Sequence, residues 1–249
     1  NFPISRNNQM KKKEFYIGCI ARWDSDKDHE NLFNALKILD MKNINYKCDL
    51  IGPMMVNENS ELQSLINKTN VDKSKLNLKG FVKDLNKAYL NFDICILPSE
   101  TEAFPIVIGE SMILGTPVIA TDTGDVKKII NQFGWIVPTK NPKELSEAIL
   151  QAVINSNDDD SWYEFRMAAR EHIVKNYDIN DMYYKYNKLW IDDVEVIEDF
   201  GREWNYFDQI KPDNYEYENI FDNYFDIFPW KLISKESVGF DMGCGSGRW

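Results

Sequence analysis

The sequence predicts an α/β fold, a doubly wound parallel sheet with helices on both faces. Three observations carry that prediction. Short apolar runs bounded by turn residues alternate with segments of helical spacing from residue 15 to residue 153. One stretch, DICILPSETEAFPIVIGESMILGTPVIATD at residues 93–122, reads as strand, helix and strand in immediate succession, the right-handed βαβ unit. Hydrophobic residues make up 43% and aromatics 13% of the 249 residues, enough for a packed core.

Taken in order, residues 1–13 are polar, end in Lys11-Lys12-Lys13 and read as a linker. Residues 15–21 form the first strand. Asp28 is placed to cap a following helix whose apolar stripe is Leu32, Phe33, Leu36 and Leu39. Residues 46–51 are a second strand closed by Gly52-Pro53, residues 60–67 a short helix, 76–81 a third strand and 84–90 another helix. Residues 94–97 are a short buried strand ended by Pro98 and Ser99. The helix after it is expected to start near Phe104, with Ser99 and Thr101 as caps and Pro105 in the first turn. Its apolar positions Ile106, Val107, Met112, Ile113 and Leu114 recur at helical spacing until Gly115. A strand at 117–120 then runs into Thr121-Asp122-Thr123-Gly124, and a strand at 135–137 and a helix at 142–153 complete the alternation. Ligands of such sheets lie beyond the carboxyl ends of the strands.

Beyond Asp158 the pattern becomes helical, at 162–175 and 181–197, the second segment rich in Tyr183, Tyr184, Tyr186 and Trp190. Charge shifts there too. Residues 1–156 hold 19 acids and 19 bases, and residues 157–249 hold 21 acids and 10 bases, which together give the net charge of −11. The excess acidity therefore lies in the last 93 residues. An acidic chain without a basic stripe makes nucleic acid an unsuitable partner. Cys19, Cys48, Cys95 and Cys244 form no Cys-x-x-Cys pair, and three of them lie in apolar runs, so buried free thiols in a reducing, cytoplasmic compartment are expected. No run is long enough for a membrane span, and no metal site is expected.

Two carboxylates mark residues 93–122: Glu102 just before the helix and Glu110 eight residues later, two turns inside it and able to face the same side. The pair straddles a strand-to-helix turn and precedes a strand ending in Thr-Asp-Thr-Gly. In that context the stretch resembles the Glu-x7-Glu region of retaining nucleotide-sugar glycosyltransferases of the GT-B class, the group 1 or family 4 type. The resemblance covers residues 14–197 and implies the Rossmann-like donor-binding half of such an enzyme.

That resemblance assigns roles residue by residue. Arg22 and Lys27 resemble the Arg-x4-Lys clamp that faces the departing diphosphate, where fixed positive charge meets charge developing in the transition state. Glu102 is implied to contact hydroxyls of the donor sugar and Glu110 to accept both ribose hydroxyls. Backbone amides near Ala103, Phe104, Ile106 and Val107 are implied to point at the diphosphate along the helix axis. Val82, Asp84 and Lys87 lie where the family holds the nucleobase. His29 reads as a helix-start residue rather than a ligand.

The chain departs from the family at Asp28, Ala103 and Asp125, where glycine is usual, which adds a Cβ where backbone approaches ligand. The resemblance further implies transfer of a sugar from a nucleoside-diphosphate sugar to an acceptor hydroxyl with retention and without metal, in polysaccharide or surface glycan synthesis. A glycan or lipid-linked acceptor would bind an N-terminal domain that residues 1–13 are too short to be. The chain starts at Asn1 rather than Met, so a donor-binding fragment that does not turn over alone is expected, peripheral at the inner membrane face in the complete protein.

The last residues, VGFDMGCGSGRW, read as another strand and glycine loop. With Asp241, Gly243, Gly245 and Gly247 they resemble the opening of a class I S-adenosylmethionine-dependent methyltransferase, a truncated second α/β beginning over 198–249. Two other readings stay open: a methyltransferase whose preceding Rossmann module only binds a nucleotide or glycan, and a non-hydrolytic sugar-nucleotide epimerase.

Overall fold

The computed structural model describes residues 14–192, and it contains the predicted sheet. Six strands, β1 (Phe15–Ile20), β2 (Tyr46–Ile51), β3 (Leu76–Gly80), β4 (Ile94–Leu97), β5 (Val118–Thr121) and β6 (Gly134–Val137), lie in the order β3-β2-β1-β4-β5-β6. Every neighbouring pair is parallel. The chain builds outward from β1 to one edge, returns, and builds from β4 to the other. The reversal lies between β1 and β4, joined by the pairs Ile17 with Ile94 and Gly18 with Cys95.

The apolar runs are strands because both faces of the sheet are covered. In β4, Ile94 and Ile96 enter the core packed under α1 (His29–Met41), α2 (Ser60–Thr69) and α6 (Pro142–Asn155), whereas Cys95 and Leu97 enter the core on the opposite face. That second face is covered by α3 (Leu85–Asn91), α4 (Ile106–Ile113), α5 (Val126–Ile130) and α7 (Asp159–Asn176). Cys19, Cys48 and Cys95 are buried free thiols, and burial pushes all three well above the ordinary thiol range.

Asp28 caps α1 as predicted, its carboxylate accepting from the Asn31 amide at 3.0 Å. It does so in the left-handed region, at φ 40 and ψ 54. That backbone is the reason glycine suits this position, and Asp is among the few other residues that tolerate it.

The start of α4 differs from the prediction. Pro105 is its N-cap, in extended conformation, and no side chain caps it. Neither Ser99 nor Thr101 does so, because they lie six and four positions before the N-cap, Pro105. Glu110 is therefore one turn inside the helix rather than two, and Glu102 sits in the loop before it. Glu102 and Glu110 therefore do not share a helical face; each is placed by its own neighbours.

The other end of α4 is held by α7. The Arg170 guanidinium donates to the Ile113 carbonyl at 2.8 Å and Arg166 donates to the Gly115 carbonyl. These carbonyls lie at a helix C-terminus, where cationic donors are favourable. The α7 end also reaches the far side of the site: the Tyr177 hydroxyl donates to the Lys128 carbonyl at 3.0 Å, and its ring lies 6.1 Å from that of Phe104. This much of the expected terminal helices packs back on the sheet domain.

Three short elements were not predicted: α5, and 3-10 turns at Ser25–Lys27 and Lys73–Lys75. Each has five residues or fewer, too few to show a period. The chain divides into two compact units after Asp181. Of the second, only residues 182–192 are described, the remainder of α8 (Ile179–Asp192). Tyr183 and Tyr184 on that helix are exposed rather than covered. The linker expected at 1–13 and the glycine loop with Asp241, Gly243, Gly245 and Gly247 lie outside the described residues.

Candidate functional site

Lys27 and Glu102 meet beyond the carboxyl ends of β1 and β4, at the reversal of strand order, whereas Arg22, Glu110 and the group Val82, Asp84 and Lys87 after β3 each have other partners. The β1 end leads through Ala21 into a loop that carries Arg22 and Lys27. This loop is pressed against the turn after β2: the Trp23 amide donates to the Pro53 carbonyl at 3.0 Å, and a Cβ on Gly52 would lie 2.2 Å from the Ala21 carbonyl oxygen. Gly52 is thus a close-approach glycine that fixes where Arg22 begins.

Lys27 crosses from the β1 loop to the β4 loop. Its Nζ lies 2.5 Å from Glu102 Oε1, with the two side chains 17% and 11% exposed. The Ser99 hydroxyl, fully buried, donates to the same oxygen at 2.7 Å. Ser99 in turn accepts at its carbonyl from the Thr121 hydroxyl at the end of β5. The β1 and β4 loops are therefore tied through one carboxylate and the β5 end joins them through Ser99, and Glu102 Oε2 receives no hydrogen bond within the described residues. Ser99, which sequence reasoning assigned to the helix cap, belongs to this network; its three-residue spacing from Glu102 was the signal available.

The loop bearing Glu102 is braced from below. Gly124, at φ 48, fits so closely that a Cβ there would lie 2.1 Å from the Glu102 carbonyl oxygen, and the Asp125 amide donates to the Ala103 carbonyl at 2.9 Å. The glycine that this contact needs is present. The two departures from the family pattern nearby are harmless to the backbone: Asp125 has φ −89, and Ala103 is not among the residues of positive φ.

Arg22 is in the same loop as Lys27 but does not join the ion pair. Its Nε donates to Asp24 at 2.9 Å, and the side chain is 59% exposed, free to swing towards an anion. The Asp24 carboxyl is lowered from its ordinary value, chiefly by the Asp26 amide and then by Arg22.

Beyond Pro105, the first amides of α4, from Ile106 and Val107, have no intrahelical acceptor by the geometry of a helix start. Phe104 and Ile106 are exposed at the rim, and Val107 packs partly on the core. Glu110 is exposed and accepts from the Tyr89 hydroxyl at 2.9 Å, a contact between residues 21 apart in sequence with no local signal.

After β3, Val82 packs on the core, while Asp84 caps α3 through the Lys87 amide at 3.3 Å and pairs with its ammonium at 3.2 Å. His29 is the first residue of α1, 2% exposed and tilted against Trp23 with ring centroids 5.4 Å apart. Neither of its ring nitrogens has a hydrogen-bond partner, and burial, then the Lys27 charge, lower its pKa to about 4. Among the described residues no three His, Cys, Asp or Glu side chains group as a metal site, and no helix is long and apolar enough to cross a membrane.

A six-stranded parallel sheet with helices on both faces, its strand order reversing between β1 and β4, is a Rossmann-like domain. The glycosyl transferases group 1 family model matches residues 2–169, and the chain belongs to that family.

Among its relatives is a 41.2 kDa protein of the cps region of Klebsiella pneumoniae, 24% identical over 187 residues that cover 74% of this chain and 48% of the relative. Another is the capsular polysaccharide biosynthesis glycosyltransferase CapM of Staphylococcus aureus, 29% identical over 155 residues that cover 57% of this chain and 40% of the relative. The chain thus spans about half the length of the curated relatives it matches, or less. A solved glycosyltransferase from Rickettsia africae superposes with a TM-score of 0.65 at 25% identity, covering 74% of this chain and 49% of that one. HepE of Anabaena, solved with UDP-glucose, has the same fold, with a TM-score of 0.61 at 20% identity over 72% of this chain and 49% of that one.

Proposed function

We propose that this chain binds a nucleoside-diphosphate sugar over the reversal between β1 and β4, as the donor half of a retaining glycosyltransferase that serves polysaccharide or surface glycan synthesis. The observation that carries the proposal is the Lys27 to Glu102 ion pair, which spans the reversal beside the free amides of α4. A cation for phosphate and a carboxylate for sugar hydroxyls stand together where a doubly wound sheet receives its ligand. That HepE of Anabaena, which shares this fold, has been solved with UDP-glucose and with UDP supports a nucleotide-sugar donor.

In the reaction proposed, the bond from the anomeric carbon to the diphosphate oxygen breaks and its electron pair stays on that oxygen. Lys27, Arg22 and the Ile106 and Val107 amides stabilise the growing negative charge, each such donor being worth roughly 3 kcal/mol. The acceptor hydroxyl oxygen bonds the anomeric carbon on the face that the diphosphate leaves, and its proton passes to a phosphate oxygen. Glu102 orients the sugar through its hydroxyls and Glu110 the ribose. The acceptor would be held by a part of the enzyme that this chain does not contain.

For residues 198–249 a methyltransferase beginning that uses S-adenosylmethionine is proposed on the sequence resemblance alone. Calorimetric titration of the chain with UDP, GDP, ADP and CDP, and separately with S-adenosylmethionine, tests both readings. Selective binding of one diphosphate, lost in Arg22→Ala and in Glu110→Ala with folding intact, is the expected result. Variants that bind like the parent would refute the donor site.

A further inference from the structure

We infer that Tyr89 is the positioning residue that makes the site selective for ribose over deoxyribose, acting through Glu110. The inference rests on the reading of Glu110 as the ribose carboxylate. Tyr89 is 1% exposed, lodged in the core between α3 and the sheet, with its ring edge-on to Phe92 at 6.4 Å. Its backbone carbonyl accepts from the buried Thr116 hydroxyl at 2.7 Å, so the residue is held at both ends. Only the hydroxyl reaches outward, and it donates to Glu110 Oε2 at 2.9 Å. Burial pushes the phenol well above its ordinary pKa, with the Glu110 carboxylate adding to it, so it stays a donor throughout the working pH range.

A glutamate on an exposed helix face loses several rotamers when it is fixed by a ligand. A rigid buried donor on one carboxylate oxygen removes that freedom in advance, and a donor to an ionised acceptor holds it firmly. One hydroxyl does not exhaust the carboxylate. Two oxygens with about four lone-pair sites leave Oε1 and the remaining site of Oε2 for two further hydroxyls. Those two sites lie side by side at the separation of vicinal hydroxyls, and a sugar lacking one of them leaves an acceptor unmatched. Tyr89 makes that geometry single-valued. In its absence Glu110 can turn to follow one hydroxyl as well as two.

The reading that Glu110 merely satisfies a buried tyrosine predicts something different, and the difference is measurable. Tyr89→Phe keeps the ring and its packing, removes only the hydroxyl, and leaves behind an exposed carboxylate that water can serve, so the variant folds. The affinities of parent and Tyr89→Phe are measured calorimetrically for whichever of UDP, GDP, ADP and CDP binds the parent, and for its 2′-deoxy counterpart. The expected result is a loss of about tenfold for the ribonucleotide, equivalent to about 1.4 kcal/mol, and little change for the deoxynucleotide, so that discrimination collapses.

Equal losses for both ligands, or no loss for either, overturn the role of Tyr89. Glu110→Ala, run in parallel, separates the two ideas. If it binds the ribonucleotide like the parent, or if the folded parent binds none of the four diphosphates, the underlying reading of Glu110 fails and the inference falls with it.

Discussion

Replacing Glu102 by glutamine should have opposite effects on nucleotide and on sugar. In the resting site Lys27 is engaged by the carboxylate at 2.5 Å, and an arriving diphosphate must share the ammonium with a group of its own sign. A charge pair at that distance has a Coulomb energy of roughly 7 kcal/mol at an effective dielectric of 20, most of which desolvation cancels. Both groups are 11–17% exposed, so a net coupling of about 1–2 kcal/mol is the appropriate scale. Glu102→Gln keeps the shape and the Ser99 hydrogen bond, frees Lys27, and removes one negative charge beside the phosphates. Nucleoside diphosphate binding should tighten about fivefold, corresponding to about 1 kcal/mol.

The same change weakens the acceptor of sugar hydroxyls, so the advantage of the sugar nucleotide over the bare diphosphate should fall. Urea unfolding should report a stability loss of about 1–2 kcal/mol. The assay is calorimetric titration of parent and variant with a diphosphate and its sugar conjugate at two salt concentrations, since added salt should shrink the difference between the proteins. Unchanged or weaker binding of the bare diphosphate by a folded variant would refute the competition, and with it the placement of the phosphates beside Lys27.

Three further outcomes follow from the same geometry. Gly124→Ala meets the Glu102 carbonyl and a backbone at φ 48 together, so it should cost about 2–3 kcal/mol by urea unfolding and weaken donor binding; a variant of parental stability would show that the brace under Glu102 is loose. Asp28→Gly relieves the left-handed backbone while losing the cap and should be near neutral, whereas Asp28→Ala loses both and should cost about 1–3 kcal/mol; thermal melts that rank the two alike contradict the account.

Burial holds His29 at about pKa 4 against an ordinary 6.5, so between those values the unfolded chain binds more protons than the native one and stability falls with falling pH. The loss between pH 7 and pH 5 should be about 2 kcal/mol in the parent and largely absent in His29→Leu, and equal pH slopes in urea unfolding would rule it out.

What the sequence determined by itself is the set of elements that repeat a period over enough residues. The central strands β1, β4 and β5 were legible as short apolar runs, because parallel strands covered on both faces take apolar residues at nearly every position, whereas in β2 and the edge strand β3 apolar residues alternate with polar ones. The cap at Asp28 was legible as a polar residue just before an apolar stripe, whereas Lys27, Glu102 and Glu110 were singled out by their resemblance to a family's motifs.

Tertiary structure decided the rest. Nothing local relates Lys27 to Glu102, 75 residues apart, or Tyr89 to Glu110, 21 apart; both meet because the strand order reverses between β1 and β4 and because α3 and α4 share one face of the sheet. The two carboxylates looked like one helical face, yet an extended Pro105 separates them and each answers to a different neighbour. Gly124 looked like the end of a turn after β5 and is also the residue whose missing side chain lets the Glu102 loop sit where it does. Periodicity records which way a residue faces within its own element; which other element it meets is fixed only when the sheet has closed and the chain has paid the entropy of bringing distant segments together.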